Sequence, residues 1–157
     1  MAPSQAHIHA EIARLVTRLG RIWRRESDQA LSNYGLSYAT AIPLLLLSRQ
    51  GTSVRQGVLA DELGIEGPSL VRLIDLLEAE GLVERREDPT DRRAKTLHLT
   101  ATGKAKVEET NRILRRVRAN LLKDIGAEEL AITFATLQRI EQRASRLHDA
   151  KTGSEAK

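Results

Sequence analysis

Ser69 and Arg72 lie three positions apart in a segment that opens with Gly67 and Pro68 and carries apolar residues at Leu70, Leu73, Ile74 and Leu77. If that segment is a helix, its apolar residues share one side, and Ser69 and Arg72 are neighbours on the other. The guanidinium of Arg72 is then a planar fork of donors that fits the O6 and N7 of guanine, and the Ser69 hydroxyl can reach a base or a phosphate. Pro68 and Val71 on the same edge offer apolar contact to a thymine methyl. A second group follows. Arg92, Arg93 and Lys95 come after the turn-forming run Asp88-Pro89-Thr90, with Arg85 and Arg86 before it and Asp91 placed to orient Arg93. Arginine on a narrow projection suits the negative potential of a minor groove. A solvated surface is the plainer role for any one of these cations. Their succession, a reading edge and then a basic projection, points to duplex DNA.

Other chemistries find few residues to work with. His7 and His9 are two apart and so do not share a helix face, and neither has a partner at metal-ligand spacing. His98 and His148 are isolated. No grouping of serine, histidine and acid, no phosphate loop and no paired carboxylates argue for catalysis, so neither enzymatic activity nor a cofactor is expected. The chain has no cysteine, which excludes disulfides, thiolate zinc sites and sensing by thiol oxidation. Its longest apolar stretch, Ala41 to Leu47, falls far short of the roughly 20 residues of a membrane-spanning helix. The amino terminus lacks the pattern of a signal peptide, so a cytoplasmic location is expected. With 157 residues, 41% apolar and 29% charged, the chain should fold, either as one domain with a core or as a small module with a long accessory element. A net charge of +4 permits a polyanionic partner without requiring one.

The candidate residues need elements to hold them. Ile8, Ile12, Leu15, Val16, Leu19, Ile22 and Trp23 recur at helical spacing, which predicts an amphipathic helix running to about Tyr34 and ended by Gly35. Ser37 can cap a second helix, apolar on nearly every side, in which Pro43 must kink the helix or remove a hydrogen bond. After a polar loop at Gly51, Thr52 and Ser53, a third helix carries Val58, Leu59 and Leu63 and stops at Gly64. The segment with Ser69 and Arg72 is the fourth, started by Pro68 and ended near Gly81. Leu82 to Arg86 and Thr96 to Leu99 then alternate as a β-hairpin. Thr100 caps a long helix with Val107, Leu114, Val117, Leu121 and Ile125 on one side, broken by Gly126. A last helix opens on Glu128 and Glu129 and carries Leu130, Phe134, Leu137, Ile140, Ala144 and Leu147. The order helix, turn, helix, hairpin is that of a winged helix-turn-helix.

Four runs make the pattern specific: Gly64-Ile65-Glu66-Gly67-Pro68-Ser69-Leu70-Val71-Arg72, Leu77-Glu78-Ala79-Glu80-Gly81-Leu82-Val83, Asp91-Arg92-Arg93-Ala94-Lys95, and Leu97-His98-Leu99-Thr100-Ala101-Thr102-Gly103. Together they resemble the signature of the MarR family of transcriptional regulators, and the first and third look most like its SlyA branch. The resemblance implies a mainly α fold with a small β-hairpin wing, a six-helix homodimer in which the first helix and the last two intertwine. On that plan residues 1–35 and 104–148 form the dimerisation region and 36–103 the winged module, with a disordered tail at 149–157. It further implies that Arg92 enters the minor groove while Asp91 and Arg93 pair within the wing.

A dimer is also expected without the resemblance, because the first and last helices carry apolar stripes that the small module between them cannot cover. Members of the family commonly release DNA when a small aromatic anion binds between the dimer helices and the winged module. Arg14, Arg18, Trp23, Tyr34 and Tyr38 are the candidates for such an effector crevice, although packing is the commoner use of scarce aromatic residues. The expected function is sequence-specific binding of double-stranded DNA at a pseudo-palindromic operator, as a repressor or anti-silencer. The rival readings are a winged-helix protein-interaction module, favoured by the apolar Val71 and Leu76 on the outer face, and a nonspecific DNA-coating protein.

Overall fold

The computed structural model describes residues 4–51, 54–88, 90–91 and 95–155, with side chains to Leu147. The chain divides into two units, Met1–Arg118 and Ala119–Lys157.

Helix α1, Gln5–Ser32, starts where the Ser4 hydroxyl accepts the His7 N–H at 3.3 Å. The turn that follows it closes at Gly35, whose positive φ of 66° favours a residue without a Cβ. Helix α2, Tyr38–Gln50, is set by a capping box: the Ser37 hydroxyl accepts the Thr40 N–H, and the Thr40 hydroxyl accepts the Ser37 N–H. Pro43 is buried inside α2, which continues to Gln50. Its ring nitrogen has no hydrogen for the carbonyl of Ala39, so the lost-bond outcome applies.

The segment after α2 differs from the sequence expectation. Val54–Arg55 form a short strand, β1, before helix α3, Gln56–Leu63. Val54 is buried and opposite Leu97, so the hairpin gains a third strand. Two residues are too few for alternation to reveal. Helix α3 buries Leu59 and Ala60, while Val58 is exposed. Gly64 closes α3 in the left-handed region, and the Ile65 N–H returns to the Ala60 carbonyl. Helix α4, Gly67–Ala79, then begins with Pro68 in its first turn. Strands β2, Val83–Glu87, and β3, Lys95–Leu99, pair antiparallel in the register Val83 opposite Leu99 to Glu87 opposite Lys95, and the sheet order is β1-β3-β2.

One core of this unit joins Leu44 and Leu47 of α2, Leu59 of α3, Leu70, Ile74 and Leu77 of α4, and Val54, Val83 and Leu97 of the sheet. A second joins Leu31, Leu36 and Ala41 to Ile113 and Leu114 of α5, Ala101–Leu122. The buried face of α5 is Gly103, Val107, Thr110, Ile113 and Leu114. Of the stripe expected for that helix, Val117 and Leu121 are only half-buried, and Ile125 is exposed beyond the helix end. Thr100 caps α5 as expected, its hydroxyl accepting the Gly103 N–H at 2.9 Å and donating to the Gly81 carbonyl at 2.6 Å. Gly103 lies so close to the Leu82 carbonyl oxygen that a Cβ would meet it at 2.0 Å.

Helix α6, Ala127–Glu155, forms most of the second unit. It begins on Glu128 and Glu129, where the helix dipole favours acids, and the Glu129 carboxylate accepts the Gly126 N–H. The helix runs to Glu155, so the tail expected from Asp149 is helical along most of its length; Ala150, Lys151 and Glu155 are favourable in a helix. Among the described residues, no helix is long and apolar enough to cross a membrane.

Candidate nucleic-acid interface

Helix α4 has the two faces that spacing predicts. Leu70, Ile74 and Leu77 are buried, Leu73 is half-buried, and Pro68, Ser69, Val71, Arg72, Asp75 and Leu76 are exposed. The buried side packs in one core with Val54, Val83 and Leu97 of the sheet, so the free edge faces away from that core. Arg72 makes no hydrogen bond or ion pair with the described residues, leaving its fork of donors available to a partner outside the chain.

The arginines of β2 are in a different state. Arg85 donates to Glu78 Oε2 and to Asp75 Oδ1, each at 2.5 Å, and its Nη2 approaches the Val71 carbonyl at 3.4 Å. Its backbone N–H donates to Glu78 Oε1 at 3.1 Å. The side chain is only 22% exposed. This residue therefore ties β2 to α4, and its donors are spent inside the module. Arg86 is exposed and paired with Glu84. Lys95 faces Glu87 across the last register pair at 3.4 Å, with both side chains open to solvent. Arg92 and Arg93, with the expected Asp91–Arg93 pairing, lie outside the described residues. Asp91 itself is exposed, and its backbone N–H donates to the Asp88 carbonyl at 3.3 Å.

The sequence places a turn at Asp88-Pro89-Thr90, but not the contacts with Arg55 and within the turn that shape the start of the wing. Asp88 is 6% exposed. Its Oδ1 accepts the Thr90 N–H at 2.8 Å and the Thr90 hydroxyl at 2.6 Å, and its Oδ2 accepts Arg55 Nε at 2.7 Å. The Thr90 hydroxyl and N–H and the Arg55 guanidinium, in that order, hold the Asp88 carboxyl far below the usual carboxylate range. The available signal was Asp88 followed two residues on by Thr90, an Asx-turn pattern. Arg55 gave none, since its contact spans the sheet.

Of the five effector candidates, Trp23, Tyr38 and Tyr34 border clefts, and not the same one. Trp23 and Tyr38 border one of about 290 Å³ together with Ser27, Asn111, Leu114 and Arg118. The Ser27 hydroxyl is buried there and has no hydrogen-bond partner among the described residues. Tyr38 also borders a neighbouring cleft of about 630 Å³ with Arg24, Asp28, Glu62 and Leu73. There the Arg24 guanidinium sits 5.3 Å from the Tyr38 ring centroid, and Asp28 accepts the Tyr38 N–H at 2.7 Å. Tyr34 borders a third, of about 200 Å³, with Ile113 and Arg116. Arg14 is paired with Glu11 at 2.6 Å on exposed α1, and neither it nor Arg18 lines any of the three.

Comparison with known proteins gives this arrangement a context. The profile of the MarR family matches residues 34–94. The crystal structure of the transcriptional regulator PA3341 is 38% identical in sequence, aligning 86% of this chain with 98% of that one at a TM-score of 0.79. A MarR-family transcriptional regulator from Rhodococcus sp. RHA1 is 28% identical, over 87% of this chain and 96% of that one, with a TM-score of 0.77. A mutant MarR from E. coli, crystallised with operator DNA, shares the fold at 23% identity, over 88% and 99% of the two chains, with a TM-score of 0.76.

Proposed function

This chain belongs to the MarR family, and on that premise we propose that it regulates transcription by binding a pseudo-palindromic operator in double-stranded DNA as a homodimer, one winged module per half-site. The observation that carries the reading is the contrast on α4. Arg72 stands uncommitted on the exposed edge, while the buried side of the same helix is fixed to the core and its flank at Asp75 and Glu78 is tied to Arg85. Pro68, Ser69, Val71 and Arg72 then read base edges in the major groove, and Arg86, Asp91, Arg92, Arg93 and Lys95 carry or orient the wing's contacts. Arg85 acts in this scheme through α4. The operator complex of the E. coli relative supports the docking by likeness of fold.

The dimer is formed by the exposed apolar stripes of α1, from Ile8 to Leu19, and of α6, from Ile132 to Leu147. Its half-sites are spaced by about one helical turn, ~10 bp. A small aromatic carboxylate relieves binding from the cleft of Trp23 and Tyr38, where the Arg118 guanidinium supplies the countercharge and the Ser27 hydroxyl an unused hydrogen-bonding group. Such a ligand acts only by favouring one spacing of the modules over another. In branch the protein is SlyA-like, a repressor or anti-silencer.

The test is a competition between cognate and random fragments, the cognate selected from genomic DNA with the purified protein. Arg72→Ala should lose ~1–3 kcal/mol on the cognate site and relax the preference at one base position. Equal losses on both kinds of DNA would reject direct reading by α4. Affinity should fall with salt by a log–log slope of about −0.9 per phosphate neutralised. Val71 and Leu76, both exposed, keep the protein-interaction reading in play. It is selected if the chain retains no DNA fragment at all, and a third reading, nonspecific coating, is selected if it retains all fragments equally.

A further inference from the structure

Arg55 makes none of the DNA contacts proposed above, yet it spans the sheet. It sits on β1, at the edge of the sheet opposite β2, with Thr96 of β3 beside it and Arg86 of β2 beyond. From there its side chain reaches the turn that follows β2, placing Nε on Asp88 Oδ2 at 2.7 Å and Nη2 on Thr90 Oγ1 at 3.3 Å. Asp88 in turn organises the turn itself, through the Thr90 N–H and hydroxyl, and its carbonyl takes the Asp91 N–H.

We infer that Arg55 is a positioning residue for the wing: its guanidinium holds Asp88, Asp88 holds the turn at Thr90 and Asp91, and that turn fixes the point from which the basic tip leaves the sheet. The inference rests on the DNA-binding reading only for its consequence, since the clamp itself is a property of the free protein. Three observations favour a structural clamp over a chance surface pair. Asp88 is buried although it is charged, which requires the donors it has. The same carboxylate is bonded on both oxygens, one to each element it joins. The contact links residues 33 apart in the chain, so it closes the wing end of all three strands together. A tip launched from an ordered turn gives up less conformational freedom on docking, and this is the route by which Arg55 strengthens binding.

The test compares Arg55→Gln, Asp88→Asn and the double variant with Glu87→Gln in the full-length protein. Asp88→Asn and Glu87→Gln each remove one negative charge from the same end of the hairpin. By charge alone both should tighten binding to a polyanion. The clamp predicts opposite signs: Glu87→Gln tightens operator binding, whereas Arg55→Gln and Asp88→Asn each weaken it about tenfold, and the double variant is no weaker than either single one. Arg55→Lys, which keeps the charge but not the two-pronged contact, should fall between. In the absence of DNA, amide hydrogen exchange at Thr90 and Asp91 should speed up about tenfold or more in Arg55→Gln, with the α4 amides unchanged. Unchanged exchange at Thr90 and Asp91 overturns the inference, as does tighter binding by Asp88→Asn. So does a double variant whose loss is the product of the single losses, which would make Arg55 a phosphate contact in its own right. If the wild-type protein binds no DNA, the functional reading fails and the exchange measurement alone still decides the clamp.

Discussion

The winged module and the helices α1 and α6 dispose of their apolar residues in opposite ways. In the module Leu59, Leu70, Ile74, Leu77 and Leu97 are sealed from solvent, and the polar edges lie outside. On α1 and α6 the apolar stripe is the outside: Leu19 is 51% exposed and Phe134 63%. The module completes its core within one chain, whereas α1 and α6 leave apolar stripes open to solvent. Leu77 and Leu19 have the same chemistry, yet the first contributes to folding and the second is available for assembly.

The largest expected effects fall on the module. Leu77→Ala should destabilise it by ~2–5 kcal/mol, because a sealed site cannot collapse around the lost volume. Gly103→Ala should cost ~3 kcal/mol or more, since the new methyl would overlap the Leu82 carbonyl and β2 or α5 must shift. Chemical denaturation followed by circular dichroism measures both, and the comparison requires these losses to be independent of protein concentration. A charge on the outer stripe should do the reverse. Leu19→Glu should abolish the dimer in sedimentation and lower operator affinity about 100-fold through lost bivalency, while leaving the module folded. A dimer that survives Leu19→Glu would move the interface away from α1.

A finer contrast holds between arginines. Arg85→Ala removes two ion pairs between β2 and α4 and should cost about 1 kcal/mol of stability, a modest figure because Asp75 and Glu78 are 56% and 38% exposed and water screens the pairs. Arg72→Ala should change the melting temperature little, its effect being ~0.5 kcal/mol or less in the absence of DNA. If Arg72→Ala destabilises the free protein as much as Arg85→Ala does, the uncommitted edge of α4 is committed after all.

These contrasts mark what the sequence can and cannot reveal. The two faces of α4, the Thr100 and Ser37 caps and the order of helices and hairpin were legible because each depends on residues within one or two helical turns. Arg85 was not. Between Arg85 and Arg86 the local sequence offers no distinction, and the choice is made by Asp75 and Glu78, one helix away. Strand β1 escaped because Val54 and Arg55 are too short a stretch for a period, and become a strand only when β3 pairs with them. On α1, where the stripe of apolar residues was plain, the clefts that gather Trp23 with Tyr38 and separate both from Tyr34 depend on how α2 and α5 pack, which no spacing along α1 encodes.

The smallest effect concerns pH, and it separates the clamped end of the hairpin from the open one. Thr90 and Arg55 hold the Asp88 carboxyl below the ordinary range, so the folded state favours its ionised form more than the unfolded chain does. Its contribution is therefore fully present above the unfolded value near pH ~4 and declines as pH falls further toward the folded one. Asp88→Asn has no such proton to take up. The stability difference between wild type and Asp88→Asn should hold steady from neutral pH to about pH 5 and shrink below about pH 4. Glu87→Gln, which removes a negative charge from the neighbouring position at the end of β2, is the control for charge alone. Denaturant titrations of the three proteins at successive pH values would reveal the narrowing, and a wild-type to Asp88→Asn gap that stays constant down to pH 2 would mean that the Arg55 and Thr90 contacts do not hold the carboxylate ionised.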